Sequence, residues 1–116
     1  MAEERPVGRH LIADVKSPEG EGVRDAEGLM KILGGALAEG GFHCLESVVH
    51  RFEGGGFTGV ILLAESHAAV HTYPELGYLA LDIFTCGPKN PRPILDALVR
   101  ALRPAEVKVR EVERSP

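Results

Sequence analysis

Gly77-Tyr78-Leu79-Ala80-Leu81-Asp82-Ile83-Phe84-Thr85-Cys86 is the stretch on which the architecture turns. Successive side chains of a strand point to opposite faces, so Leu79, Leu81, Ile83 and Thr85 share one face and Tyr78, Ala80, Asp82, Phe84 and Cys86 the other. Both faces are largely apolar, the pattern of a strand covered on both sides. Upstream, His67–Tyr73 reads as a strand halted by Pro74, Phe57–Glu65 as another, and Cys44–Phe52 as a third, with Glu53-Gly54-Gly55-Gly56 as the turn between the last two. Downstream, Gly87-Pro88-Lys89-Asn90 is a turn, and Asn90 is expected to cap a helix with Pro91 at its first position. Ile94, Leu95, Leu98 and Leu102 form the apolar stripe of that helix, Pro104 ends it, and Val107, Val109 and Glu111 alternate in a last short strand.

Nearer the N-terminus, Gly8–Lys16 sets Leu11, Ala13 and Val15 against His10, Ile12 and Asp14, a further strand. Ser17–Val23 reads as a loop. Asp25 is placed to cap a helix in which Leu29, Met30, Leu33, Ala36 and Leu37 recur at helical spacing, and Gly40 and Gly41 are expected to end it in the left-handed conformation. The order is strand, helix, four strands, helix, strand. It predicts an α+β, two-layer α/β sandwich: one largely antiparallel sheet with two helices on one face. Two helices cover one face only. A second copy stacking sheet on sheet would cover the other, giving a homodimer; a lone sheet with a half-wet face is the alternative.

The 116 residues fit one domain, 1–116. At 44% apolar and 26% charged the chain is expected to fold rather than stay disordered. No apolar run approaches the ~20 residues that span a bilayer and no secretory leader is expected, which points to a cytoplasmic protein with no membrane partner. A net charge of −4, no long Lys/Arg cluster, and no Trp argue against nucleic acid as a partner. Cys44 and Cys86 are too few for a disulfide framework and read first as small buried hydrophobes.

Several standard chemistries find no support. His67 and His71 have the spacing of a helical zinc pair, yet on a strand residues four apart lie ~13 Å from each other, so no metal is expected. Gly-x-Ser-x-Gly is absent, and Gly54-Gly55-Gly56 lacks the Lys-Ser/Thr and helix of a phosphate loop. The dense chemistry lies in Ala64-Glu65-Ser66-His67, Val70-His71-Thr72-Tyr73-Pro74-Glu75 and Asp82-Ile83-Phe84-Thr85-Cys86-Gly87. With Gly8-Arg9-His10-Leu11 and His50-Arg51-Phe52, this combination resembles the prokaryotic S-adenosylmethionine decarboxylase proenzymes over about residues 8 to 113.

The resemblance implies a self-processing, pyruvoyl-dependent carboxy-lyase that makes the aminopropyl donor of polyamine (spermidine) biosynthesis. Decarboxylation needs an electron sink that no side chain supplies. The resemblance implies that Ser66 attacks the Glu65 carbonyl to give an ester, and that His71 then takes the Ser66 α-proton. Elimination and hydrolysis leave a pyruvoyl group, with residues 1–65 as β chain and 66–116 as α chain. That group would form a Schiff base with the substrate amine, Cys86 acting as proton donor. Phe52 would stack on adenine and Glu75 would accept from the ribose hydroxyls. Thr58 stands where the family usually has a serine that assists processing. Alternation from Thr58 through Val60, Leu62 and Ala64 would put it on the same strand face as Ser66.

The chain departs from the family at Glu53-Gly54-Gly55-Gly56-Phe57-Thr58, at Ala68-Ala69 and at Tyr73. None of these removes a reacting group, but they keep other readings open: a pyruvoyl-dependent arginine or ornithine decarboxylase on the same scaffold, or a non-catalytic homologue partnering an active paralogue. Asp82 is unexplained beyond facing the same side as Cys86.

Overall fold

Leu11, Ala13 and Val15 fall on one side of the first strand, and in the computed structural model, which describes residues 7–16 and 24–116, all three are buried. The elements run β1 (Gly8–Lys16), α1 (Ala26–Glu39), β2 (Cys44–Arg51), β3 (Phe57–Leu63), β4 (Ser66–Tyr73), β5 (Tyr78–Thr85), α2 (Arg92–Leu102) and β6 (Glu106–Arg114). A single 3₁₀ turn, Pro74–Leu76, joins β4 to β5. The strands form one sheet in the order β2-β3-β4-β5-β1-β6, every neighbouring pair antiparallel. The loop expected over Ser17–Val23 lies outside the described residues.

Both helices lie on one face, because their apolar stripes meet the odd-numbered side of β5. Leu79, Leu81, Ile83 and Thr85 are wholly buried there, with Leu29, Leu33 and Leu37 of α1 and Ile94, Leu95, Leu98 and Leu102 of α2 in the same core. Fully burying such a side chain stabilises the fold by about 1.5–3 kcal/mol. The close approach of α1 to β3 needs Gly59, where an added Cβ would come within 2.4 Å of the Met30 sulfur. On the opposite face Tyr78, Ala80, Asp82 and Phe84 are half-buried, while Val48, Val60, Leu62 and Tyr73 are exposed.

Three local readings are corrected. Asp25 does cap α1, accepting from the Gly28 amide at 2.9 Å, but Gly40 ends the helix at φ −75° and only Gly41, at φ +85°, is left-handed. Pro91 is the cap of α2 rather than its first residue, and Asn90 acts one step earlier, its side-chain oxygen accepting from the Arg92 amide at 3.0 Å. The last strand is not short: β6 pairs with β1 from Lys16↔Glu106 to Gly8↔Arg114. Its charged residues hide this length, because as an edge strand it needs few apolar side chains.

Candidate active site

The chain reverses at Ala64–Glu65, so Ser66 opens β4 and does not continue β3. Its neighbours in register are Leu63 on β3 and Thr85 on β5. Ser66 has φ +141°, a region in which L-residues other than glycine are strained at a cost of about 1–3 kcal/mol. Its Oγ lies 3.3 Å from His67 Nδ1. The carbonyl of Glu65, on the other side of the same peptide bond, accepts from the Cys86 amide at 2.9 Å. The Cys86 side chain is exposed.

Glu65 is held by its side chain as well. One carboxylate oxygen accepts from the His43 amide at 3.0 Å, and the other meets His43 Nδ1 at 2.7 Å and Lys89 Nζ at 2.8 Å. Lys89 also donates to the Gly41 carbonyl and lies 5.5 Å from the Phe42 ring centre. The His43 amide first, then Lys89 and the His43 ring, pull the Glu65 carboxyl from 4.5 down to about 2. A folded-state value below the unfolded one stabilises the fold fully above about pH 4.5, and that contribution is lost progressively as pH falls from there through about 2. In a chain carrying Ser66→Ala, so that Glu65 stays internal, carbon-13 NMR should find this carboxyl titrating near 2, and Lys89→Met should move it up toward 4.5. A Glu65 titration already near 4.5 in the parent would show that the contacts do not form. Cys44, expected to be a small buried apolar residue, is instead exposed at the start of β2, an edge strand, and desolvation, then the Glu65 charge, raises its thiol.

A second cluster lies at the other end of β3 and β4. Thr58 pairs with His71 in register, and Thr58 Oγ1 is 3.0 Å from His71 Nδ1. With Phe52, Tyr73 and Glu75 they line a cleft of about 270 Å³ on the face away from the helices. Phe52 is steadied by an edge-on contact with His50, ring centres 4.6 Å apart.

The structure therefore brings Phe52, Thr58, His71 and Glu75 together, and separately Glu65, Ser66 and Cys86. The two groups are not one site within the chain: His71 lies five residues beyond Ser66 on β4, ~17 Å along the strand. The expectation that Thr58 shares a strand face with Ser66 is overturned, since the turn at Ala64–Glu65 and the positive φ of Ser66 break the alternation. Asp82 gains a partner, its Oδ1 lying 3.0 Å from His10 Nε2. His43 and Lys89 carry no sequence signal, because they reach Glu65 from positions 22 and 24 residues away. For His67 the sequence signal is its place beside Ser66, and the structure sets its Nδ1 3.3 Å from the Ser66 hydroxyl oxygen. Among the described residues no group of three or more His, Cys, Asp or Glu is placed to hold a metal, and no helix is long and apolar enough to cross a membrane.

The site thus sits on an antiparallel α+β sandwich and centres on a strained serine at a strand-opening turn, its upstream carbonyl held by an amide. The comparisons with known proteins make this specific. The family model for S-adenosylmethionine decarboxylase matches residues 9–115. Proteins named S-adenosylmethionine decarboxylase proenzyme are similar along nearly the whole chain. The one from Moorella thermoacetica is 39% identical over 95% of this chain and 89% of its own length, and one from Methanococcus maripaludis is 34% identical over 95% and 91%. The crystal structure of the adenosylmethionine decarboxylase from Aquifex aeolicus superposes with a TM-score of 0.88 at 30% identity, covering 97% of this chain and 93% of that one. The chain belongs to the S-adenosylmethionine decarboxylase family.

Proposed function

We propose that this chain is the precursor of a cytoplasmic, pyruvoyl-dependent S-adenosylmethionine decarboxylase that cuts itself between Glu65 and Ser66 and supplies the aminopropyl donor of spermidine synthesis. The observation that carries the reading is the state of that peptide bond. The serine is strained, its hydroxyl lies near a histidine nitrogen, and the carbonyl that would be attacked already accepts from the Cys86 amide. An amide aimed at that oxygen would stabilise the negative charge that builds on it as Ser66 Oγ adds. These residues fit the making of a pyruvoyl group at position 66, leaving residues 1–65 as β chain and 66–116 as α chain. That ketone supplies the electron sink that loss of carbon dioxide requires.

The distance between the two clusters supports a homodimer in which each site draws on both chains. A two-fold axis crossing β4 reverses the strand, so that Ser66 and Cys86 of one copy face the partner subunit's His71, with Thr58, Phe52 and Glu75 of that same partner around the cleft. The exposed Val48, Val60, Leu62 and Tyr73 on the helix-free face suit sheet-on-sheet stacking. In that arrangement Thr58 orients the His71 ring, which removes the Ser66 α-proton. Phe52 stacks on the adenine and Glu75 accepts from the two ribose hydroxyls. The Cys86 thiol, beside position 66, returns a proton after carbon dioxide leaves.

Mass spectrometry of the purified protein is expected to find two fragments that meet at Glu65–Ser66, the second headed by pyruvoyl. S-adenosylmethionine labelled in its carboxyl group should release labelled carbon dioxide, while arginine and ornithine should not. A chain that stays whole, or one that releases gas from arginine or ornithine instead, would overturn the reading.

A further inference from the structure

Resting on this reading of a self-cleaving chain, we propose that His67 is the base that takes the Ser66 hydroxyl proton and starts the acyl shift. Two proton removals are needed at residue 66, first from Oγ and later from Cα, and they call for different positions. His71 is the group for the second. It lies ~17 Å along β4 from Ser66 of its own chain, and its Nδ1 is engaged with Thr58 at 3.0 Å. His67 Nδ1 is 3.3 Å from Ser66 Oγ, within reach of its proton.

The ring of His67 is held for that task. It lies parallel to Phe84, its partner in register on β5, with an interplanar angle of 7° and ring centres 6.0 Å apart. Phe84 is fixed in turn by the edge of His10, 5.6 Å between centres, and His10 is tied to Asp82 at 3.0 Å. This row across β4, β5 and β1 gives Asp82 and Phe84 a purpose: they position a base whose nitrogen faces the nucleophile.

The step balances within the chain. The proton passes from Ser66 Oγ to His67 Nδ1 as Oγ bonds to the Glu65 carbonyl carbon. The displaced electron pair rests on the carbonyl oxygen, held by the Cys86 amide. The pair then returns, the bond to the Ser66 nitrogen breaks, and His67 gives its proton to that nitrogen. The products are an ester and a free amine, with nothing gained or lost.

His67→Phe keeps a ring against Phe84 and removes the acceptor. Freshly made precursor of this variant should cleave at least about 100-fold more slowly than the parent chain. It should also stay intact in hydroxylamine, because no ester forms. His71→Ala stops one step later and should split in hydroxylamine between Glu65 and Ser66. His67→Asn, smaller and without a basic nitrogen, gives the same test if the larger ring disturbs folding, and a thermal melt matching the parent certifies either variant. Parental cleavage speed or a hydroxylamine-labile ester in a folded His67 variant overturns the role of His67 and leaves the proposed function standing. A parent chain that never cleaves overturns both.

Discussion

Ser66→Ala is expected to leave the chain in one piece and to abolish carbon dioxide release from S-adenosylmethionine. Alanine keeps the Cβ and loses only the hydroxyl, so the backbone of the turn is left as it is and the strain at φ +141° persists. What disappears is the nucleophile that would open the Glu65–Ser66 bond, and with it the source of the ketone. No other side chain can hold the electron pair left by a departing carboxylate, so the loss should not be partial. Turnover should fall to the uncatalysed background, a drop of ~10⁶-fold or more. Gel mobility and intact mass report the uncut chain, and trapping of labelled gas reports the activity. A folded variant that still releases gas would mean that the electrons go elsewhere and that the serine is incidental.

How much of this was legible beforehand divides along physical lines. β5 could be read because alternation with period two, set between Gly77 and Gly87, leaves little choice of face, and Leu79, Leu81 and Ile83 are buried as that pattern requires. The helices were legible from their stripes, with errors of one residue at Gly40 and Asn90, where neighbouring residues compete for one capping role. The extent of β6 was not, because an exposed edge carries little hydrophobic signal. Phe52, Thr58, His71 and Glu75 were named from motifs, and that they share one cleft follows from the register of β3 on β4. Their separation from Ser66 was hidden, since it depends on a two-residue reversal at Ala64–Glu65 that reads as continued strand. The hold of His43 and Lys89 on Glu65 was hidden too, being made by single side chains across more than twenty residues with no periodicity to betray them.

The separation of the clusters yields the sharpest expected result. Chains carrying Ser66→Ala and chains carrying His71→Ala should each fail alone to produce a pyruvoyl-headed fragment, and should produce it when made together in one cell. If each site pairs Ser66 of one chain with His71 of the other, a mixed dimer contains one site with both residues intact and one with neither. Random pairing makes half of the dimers mixed, so about a quarter of all sites should mature. The fragment must derive wholly from the His71→Ala chain, which retains its serine, and a mass difference between the two chains reads this directly. His67, Glu65 and Cys86 are intact in both variants, so the serine's own neighbourhood is not in question. If His71 acted on Ser66 of its own chain, mixing would rescue nothing. Mixed dimers recovered by two affinity tags and found uncleaved would therefore reject the shared site, whatever else the chain is able to do.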